Sequence, residues 1–199
     1  MEEKYLLFFL IFVFAFILLT WLLTKTGIRD VDSSSKRAGQ RGEKYANDVI
    51  REILRADDTL LTNVCVCIDD KQTELDNVVI NRKGIYIIEV KNYSGDLYGH
   101  EDDYEWEKIK TTPGGIPYKK NVKNPIKQVK RQVYILSHFL KSNGINLWID
   151  GYVFLVRSNS SVESSYILKS QYDIDKAIHI NSDNKINTAV KNRIIKLLC

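Results

Sequence analysis

The segment Ile85-Tyr86-Ile87-Ile88-Glu89-Val90-Lys91 is apolar on both faces of an extended chain until it nears its end. A strand of this kind is covered on both sides, and charges at the end of a buried strand are where a functional site would sit. The surrounding pattern supplies the cover. Apolar residues at Ala46, Val49, Ile50, Ile53 and Leu54 form a helical stripe over Glu43 to Arg55. A β-rich stretch follows at Leu60 to Ile68, with a turn at Asp69-Asp70-Lys71. Asp76 to Ile80 and Ile85 to Lys91 flank a four-residue loop, Asn81 to Gly84. Tyr98 to Lys110 holds short strands around Trp106, and Thr112 to Tyr118 reads as a loop. Asn124-Pro125 opens a helix as N-cap and first residue, with a stripe at Ile126, Val129, Val133, Leu136 and Leu140, and Gly144 closes it. Tyr152 to Val156 and Ala177 to Ile180 read as strands, and Ile186 to Leu198 as a short helix. This order predicts an α/β fold: a mixed sheet flanked by helices.

Ahead of that domain lies Tyr5 to Leu23, 19 residues with no charge and only Thr20 interrupting the apolar character. As a helix it would span roughly 28 Å, about the thickness of a bilayer's hydrocarbon core. A cleaved signal peptide is the competing explanation. It calls for a basic start, a shorter core and a small-residue cleavage site, whereas the chain begins Met-Glu-Glu-Lys and has no Ala-x-Ala after the run. The expectation is therefore one transmembrane helix over residues 1–23, with Trp21 and Tyr5 at the interfaces. Lys25, Arg29, Lys36, Arg37 and Arg41 follow the span, against Lys4 before it. That bias predicts a single-pass protein of the cell membrane, N-terminus out, with the remainder in the cytoplasm. Residues 24–38 read as a polar juxtamembrane linker, 39–156 as the functional domain and 157–199 as an extension packing on it.

With 199 residues there is room for one ordinary domain besides the span. Three cysteines make no disulfide framework, and free thiols suit a reducing compartment. His100, His138 and His179 do not combine with Cys65, Cys67 or Cys199 in zinc-ligand spacing.

If Asn81 to Gly84 is the hairpin loop, Ile80 opposes Ile85. Asp76 then faces Glu89, Glu74 faces Lys91, and the four side chains share one face. Opposed Cβ atoms lie roughly 5 Å apart, so the two carboxylates repel. A divalent cation would turn that repulsion into a ligand set, and hard oxygen donors suit Mg2+ or Mn2+. Lys91 would orient or activate water, or stabilise charge on a phosphate. The alternative is that Glu89 and Lys91 face solvent on a half-exposed strand.

These residues resemble the NERD (nuclease-related domain) family of the restriction-endonuclease-like superfamily, whose signature is an Asp followed by Glu-x-Lys on adjacent strands. The resemblance rests on Gly42-Glu43, Glu74-Leu75-Asp76-Asn77-Val78-Val79-Ile80, Gly84 to Lys91, Gly95-Asp96-Leu97-Tyr98-Gly99 with Trp106, and Asn124-Pro125-Ile126-Lys127-Gln128. It implies a restriction-endonuclease-like mixed sheet and a metal-dependent phosphodiesterase site. Asp76 and Glu89 would be metal ligands with the Val90 carbonyl as a third, and Lys91 the catalytic lysine. Glu43 would be a further ligand or base, and Gln128 would contact substrate or water. Read without the family, Glu43 is a helix N-terminal charge complementing the dipole, and Gln128 an exposed helix residue.

Lys108 to Arg131 contains eight basic residues and no acid, directly after an acidic stretch from Asp96 to Glu107. Lys119, Lys120, Lys123, Lys127, Lys130 and Arg131 read as a basic loop running into a helix N-terminus, a track for DNA phosphates. A solvated helix face or attraction to anionic lipid would also produce it. The functional expectation is a membrane-anchored deoxyribonuclease using Mg2+ or Mn2+. The alternative is an inactive module of the same fold that binds nucleic acid or a protein partner.

Overall fold

The computed structural model describes the backbone of all residues except 1, 113, 158 and 181–184, and side chains other than those of residues 2–4, 6–11 and 22–34. The elements run α1 (Glu2–Ile53), β1 (Thr59–Ile68), β2 (Lys71–Ile80), β3 (Ile85–Lys91), β4 (Asp96–Tyr98), β5 (Glu105–Thr111) and β6 (Pro117–Lys123). They continue with α2 (Pro125–Ser142), β7 (Ile149–Leu155), β8 (Ile167–Leu168), α3 (Gln171–His179) and α4 (Thr188–Leu198). The chain divides into two compact units, residues 1–40 and 41–199.

Among the described residues no helix is long and apolar enough to cross a membrane. Much of the Tyr5–Leu23 run consists of side chains outside that description. Residues 24–38, expected as a juxtamembrane linker, are helical.

Five strands form the main sheet in the order β1-β2-β3-β7-β8, and β4-β5-β6 form a second. The β1–β2 and β2–β3 pairs are antiparallel. β7 runs parallel to β3, and β8 parallel to β7. A parallel neighbour needs a long crossover, and the small sheet and α2 occupy it. The mixed sheet flanked by helices is thus the arrangement the sequence pattern demanded.

β3 shows why. Its side chains alternate between two separate cores. Ile85 and Ile87 join Val129, Leu136 and Leu140 of α2 and Ile194 of α4. Tyr86, Ile88 and Val90 join Ala46 and Ile50 of α1 and Ile174 and Ile178 of α3. The small sheet contributes Leu97 and Trp106 to the first core, and the Trp106 indole N–H donates to His100 O at 2.9 Å.

Turn chemistry fixes the hairpins. Asp69 and Asp70 both have positive φ (45° and 60°), as a two-residue loop with the strands' own twist requires. Asn81 closes the β2–β3 loop: its Oδ1 accepts from the amides of Lys83 (2.8 Å) and Gly84 (3.0 Å), and its Nδ2 donates to Ile178 O (3.0 Å). Asn124 caps α2, with Oδ1 accepting from the Ile126 amide at 2.8 Å.

Two expected elements differ. Ala177 to Ile180, read as a strand, is the last turn of α3 and its C-cap, Ile180; Ile174, Ala177 and Ile178 are buried at helical spacing and Ser170 is the N-cap. A four-residue apolar run does not by itself separate the two periods. Lys119 to Lys123, read as a basic loop, is strand β6, held by its ladder with β5.

Candidate active site at the end of the central hairpin

Ile80 pairs with Ile85, and the β2–β3 ladder runs out to Asn77 opposite Ile88 and stops. Asp76 and Glu89 occupy the next positions, where the strands begin to part. The cause lies on the other side of β2. Leu61 and Val64 of β1 both pack on the first core although they stand three positions apart, an odd offset, and so do Leu75 and Val78 of β2. The side-chain alternation therefore changes phase between them. Asn63, with φ of 54°, sits at that point between the pairs Thr62–Asn77 and Val64–Leu75.

The phase change has two results. Asp76 reaches across to β3, where its Oδ2 accepts from the Val90 amide at 2.7 Å. Glu74, expected opposite Lys91 on the same face, is instead exposed. Its carbonyl is what reaches the site, accepting from the Gln132 side chain at 3.0 Å.

Glu89 is only 2% exposed. A buried carboxylate has to be compensated by donors and opposite charge. One Glu89 oxygen accepts from the Lys91 ammonium and from Gln128 Nε2 (2.6 Å), and the other accepts from Gln132 Nε2 (2.6 Å). Gln128 and Gln132 lie one turn apart on α2, so one helix face supplies a donor to each oxygen.

Burial pushes Asp76 up from the usual 3.8 to about 7, and the Glu89 charge adds to it. The Val90 amide and the Lys91 ammonium pull the other way, and Glu43 contributes a further upward push. Glu43 thus lies within electrostatic reach of Asp76. Its neighbour Gly42 allows α1 to come close: a Cβ at Gly42 would stand 2.6 Å from Cβ of Asn92, the residue after β3. Burial would depress Lys91, but the Glu89 carboxylate outweighs it and holds the ammonium above the usual lysine range. Tyr93 is raised by burial, with Lys91 opposing and Glu89 adding, so its ring belongs to the same electrostatic neighbourhood.

The structure therefore brings together Asp76, Glu89, Lys91 and Gln128, with Glu43 near Asp76. Val90 enters through its N–H, whereas the expectation named its carbonyl. Gln132 was not anticipated. Its signal was a polar residue in line with the apolar stripe of α2, four residues after Gln128. Among the described residues no three His, Cys, Asp or Glu side chains converge as a ready metal cage. The donor set still suits a hard cation. Two carboxylates are held together, and burial, with the neighbouring charge adding to it, pushes Asp76 up to about 7. Mg2+ is commonly held by one or two carboxylates and several waters.

The basic residues behave differently from the expectation. Asn124 Nδ2 donates to the carbonyls of Glu101 (2.9 Å) and Asp103 (2.8 Å), folding the acidic stretch back against the start of α2. Lys119 pairs with Glu107 at 3.0 Å and Lys130 with Glu101 at 2.9 Å. Lys123 registers opposite Glu105, Lys127 lies 5.7 Å from the Tyr104 ring centre, and Arg131 is exposed. Charges segregated along the chain are thus interleaved in space, with Lys119, Lys123 and Lys130 each set against an acid. Lys120 alone of the six opposes another lysine, Lys108.

Comparison with known proteins accords with this geometry. An uncharacterized protein of Bacillus anthracis, pXO1-01, is 31% identical over 94 residues, 47% of this chain and 42% of that protein. The chain thus spans less than half the length of that relative. No solved structure matches significantly. Residues 38–156 match the nuclease-related domain, NERD, and since this is more than half of the chain, the protein belongs to that family.

Proposed function

We propose that the chain is a divalent-metal-dependent nuclease that hydrolyses DNA phosphodiester bonds. The observation that carries this proposal is the convergence of the Asp76 and Glu89 carboxylates with the Lys91 ammonium where the β2–β3 ladder ends. Asp76 and Glu89 would hold Mg2+ or Mn2+, with the Val90 carbonyl as a further oxygen donor. Such an ion supplies Lewis-acid polarisation of a phosphoryl oxygen and a water of lowered pKa. Lys91 presents a protonated ammonium to a non-bridging phosphate oxygen, countering the charge that builds there. Glu43 is a carboxylate beside Asp76, suited to accepting a proton from the attacking water. Gln128 and Gln132 fix the orientation of Glu89, which keeps both of its oxygens from rotating away.

One observation favours a second reading, a module that binds nucleic acid or a protein without cutting. Both Glu89 oxygens already accept hydrogen bonds from Lys91, Gln128 and Gln132. The two readings part in one experiment. The full chain, purified in neutral detergent, is incubated with linear, nicked and single-stranded DNA in Mg2+, Mn2+ or EDTA. Metal-dependent cutting that disappears in Asp76→Ala and Lys91→Ala is the expected result. Binding without cutting supports the second reading, and neither binding nor cutting rejects both.

The same proposal places the domain at a membrane. Its support is the uncharged run Tyr5 to Leu23 and the excess of Lys and Arg just after it. The expected result is retention of the chain in the membrane fraction after an alkaline wash, with the C-terminal domain on the cytoplasmic side. Release by the wash would remove this part.

A further inference from the structure

The lysines of the basic segment divide between the two faces of the small sheet. In the β5–β6 ladder Lys108 opposes Lys120, Lys110 opposes Tyr118, and Trp106 opposes Val122. Side chains alternate, so these six share one face. At the Trp106 end that face joins the hydrophobic core. At the other end it carries three ammonium groups. The opposite face holds Lys119 and Lys123 together with Glu107 and Glu105, where the charges offset.

Lys108, Lys110 and Lys120 have no such relief. Among the described residues none of the three forms an ion pair with an acid. Burial, then the neighbouring Lys110 and Lys120 charges, hold Lys108 below the usual lysine range. Like charges opposed across a ladder cost stability, and among the described residues no acid on this face offsets the cost. The patch also abuts the hairpin site. The Lys108 Nζ stands 5.5 Å from the centre of the Tyr93 ring, and Tyr93 in turn feels both Lys91 and Glu89. Lys110 lies against the start of β4: a Cβ at Gly95 would come within 2.6 Å of its Cγ.

We propose that Lys108, Lys110 and Lys120, adjoining Lys91 across the Tyr93 ring, seat the backbone phosphates of nucleic acid next to the phosphate at the hairpin site. This rests on the nuclease reading for what happens at Asp76 and Glu89, but it concerns binding alone. The contacts are to phosphate, so they confer affinity without base preference. In this proposal they take the place of Lys119, Lys123, Lys127, Lys130 and Arg131 as the cationic track for phosphates.

The test uses the full chain in neutral detergent, a fluorescent DNA duplex and EDTA, so that no cutting intervenes. Binding is read by anisotropy across a salt series. The triple variant Lys108→Gln, Lys110→Gln, Lys120→Gln is expected to bind at least about tenfold more weakly. Its slope of log K against log salt should flatten by about 2.7, since each phosphate contact contributes about 0.9. Lys119→Gln with Lys123→Gln should stay within about twofold of the parent, because these residues face the acidic side. The single variant Lys108→Gln serves if the triple variant does not fold. Unchanged binding in both lysine variants of the patch, or loss in the Lys119/Lys123 variant instead, overturns the proposal. So does failure of the parent chain to bind. A phosphatidylserine vesicle arm separates the other source of phosphate: if the triple variant loses vesicles but keeps DNA, the patch serves lipid and the proposal falls. Patch-dependent binding by a chain that never cuts rejects the nuclease reading and keeps this one. Metal-dependent cutting with undiminished binding in the triple variant does the reverse.

Discussion

Asp76→Asn is expected to make the metal-free chain more stable at pH 8 and to abolish its response to Mg2+ or Mn2+. The Asp76 carboxyl is raised from 3.8 to about 7, chiefly by burial and then by the Glu89 charge. A carboxyl whose folded-state pKa lies above its unfolded value stabilises the fold most in its neutral form. That contribution is complete below about pH 4 and is lost as pH rises through about 7. Above pH 7 the folded chain holds an ionised Asp76 against its preference, at a cost of roughly 4 kcal/mol at 1.36 kcal/mol per unit. Asparagine keeps an oxygen for the Val90 amide and carries no charge, so it removes most of that cost. A gain of roughly 3 kcal/mol corresponds to a Tm increase on the order of 10 °C for a chain of this size. At pH 4 the two proteins should melt together. Mn2+ should raise the parent's Tm increasingly between pH 6 and 8, as Asp76 gives up its proton, and leave the variant unmoved. A variant that melts lower than the parent at pH 8, or still gains stability from Mn2+, would refute the assignment of Asp76.

This pattern, in which a substitution stabilises the fold and removes activity, is expected where a site holds like charges together for a ligand. It also explains what the sequence disclosed and what it withheld. The loop from Asn81 to Gly84 fixes the register of β2 and β3, so pairing arithmetic alone brought Asp76 beside Glu89. The apolar run of β3 required cover on both faces, which fixed the layered architecture. By contrast, the phase change at Asn63 depends on a positive φ that Asn adopts more readily than most residues, but a single Asn within a β-rich run does not fix where the alternation breaks. Glu74 was misplaced for that reason. β6 has almost no apolar alternation to report a strand, because only Val122 among its residues is drawn toward the core. Without β6, the division of the lysines between two faces could not be read. Gln132 was legible in principle, since a glutamine aligned with a buried stripe has to find a partner.

The second large effect falls on Glu89 and separates its structural from its chemical part. Glu89→Ala leaves the Lys91 ammonium and the Gln128 and Gln132 amides aimed at an empty site. Removing one partner of a buried, hydrogen-bonded pair typically costs about 3–5 kcal/mol, so Tm should fall by roughly 10 °C or more. Glu89→Gln keeps the shape and one acceptor oxygen. It should cost about 1–2 kcal/mol, as its new amide turns one donor against another. Both variants should lose cleavage by about a thousandfold or more, because neither presents a carboxylate to a cation. The paired change Glu89→Leu with Lys91→Met tests the energetics from the other side. It removes both charges together, so it should recover much of the stability lost in Glu89→Ala while remaining inactive. Chemical denaturation of the three variants gives the stabilities and DNA cutting in Mn2+ gives the activities. Equal stability of Glu89→Ala and the parent would mean that Lys91 and the two glutamines do not depend on Glu89, and cleavage surviving in Glu89→Gln would remove Glu89 from the ligand set.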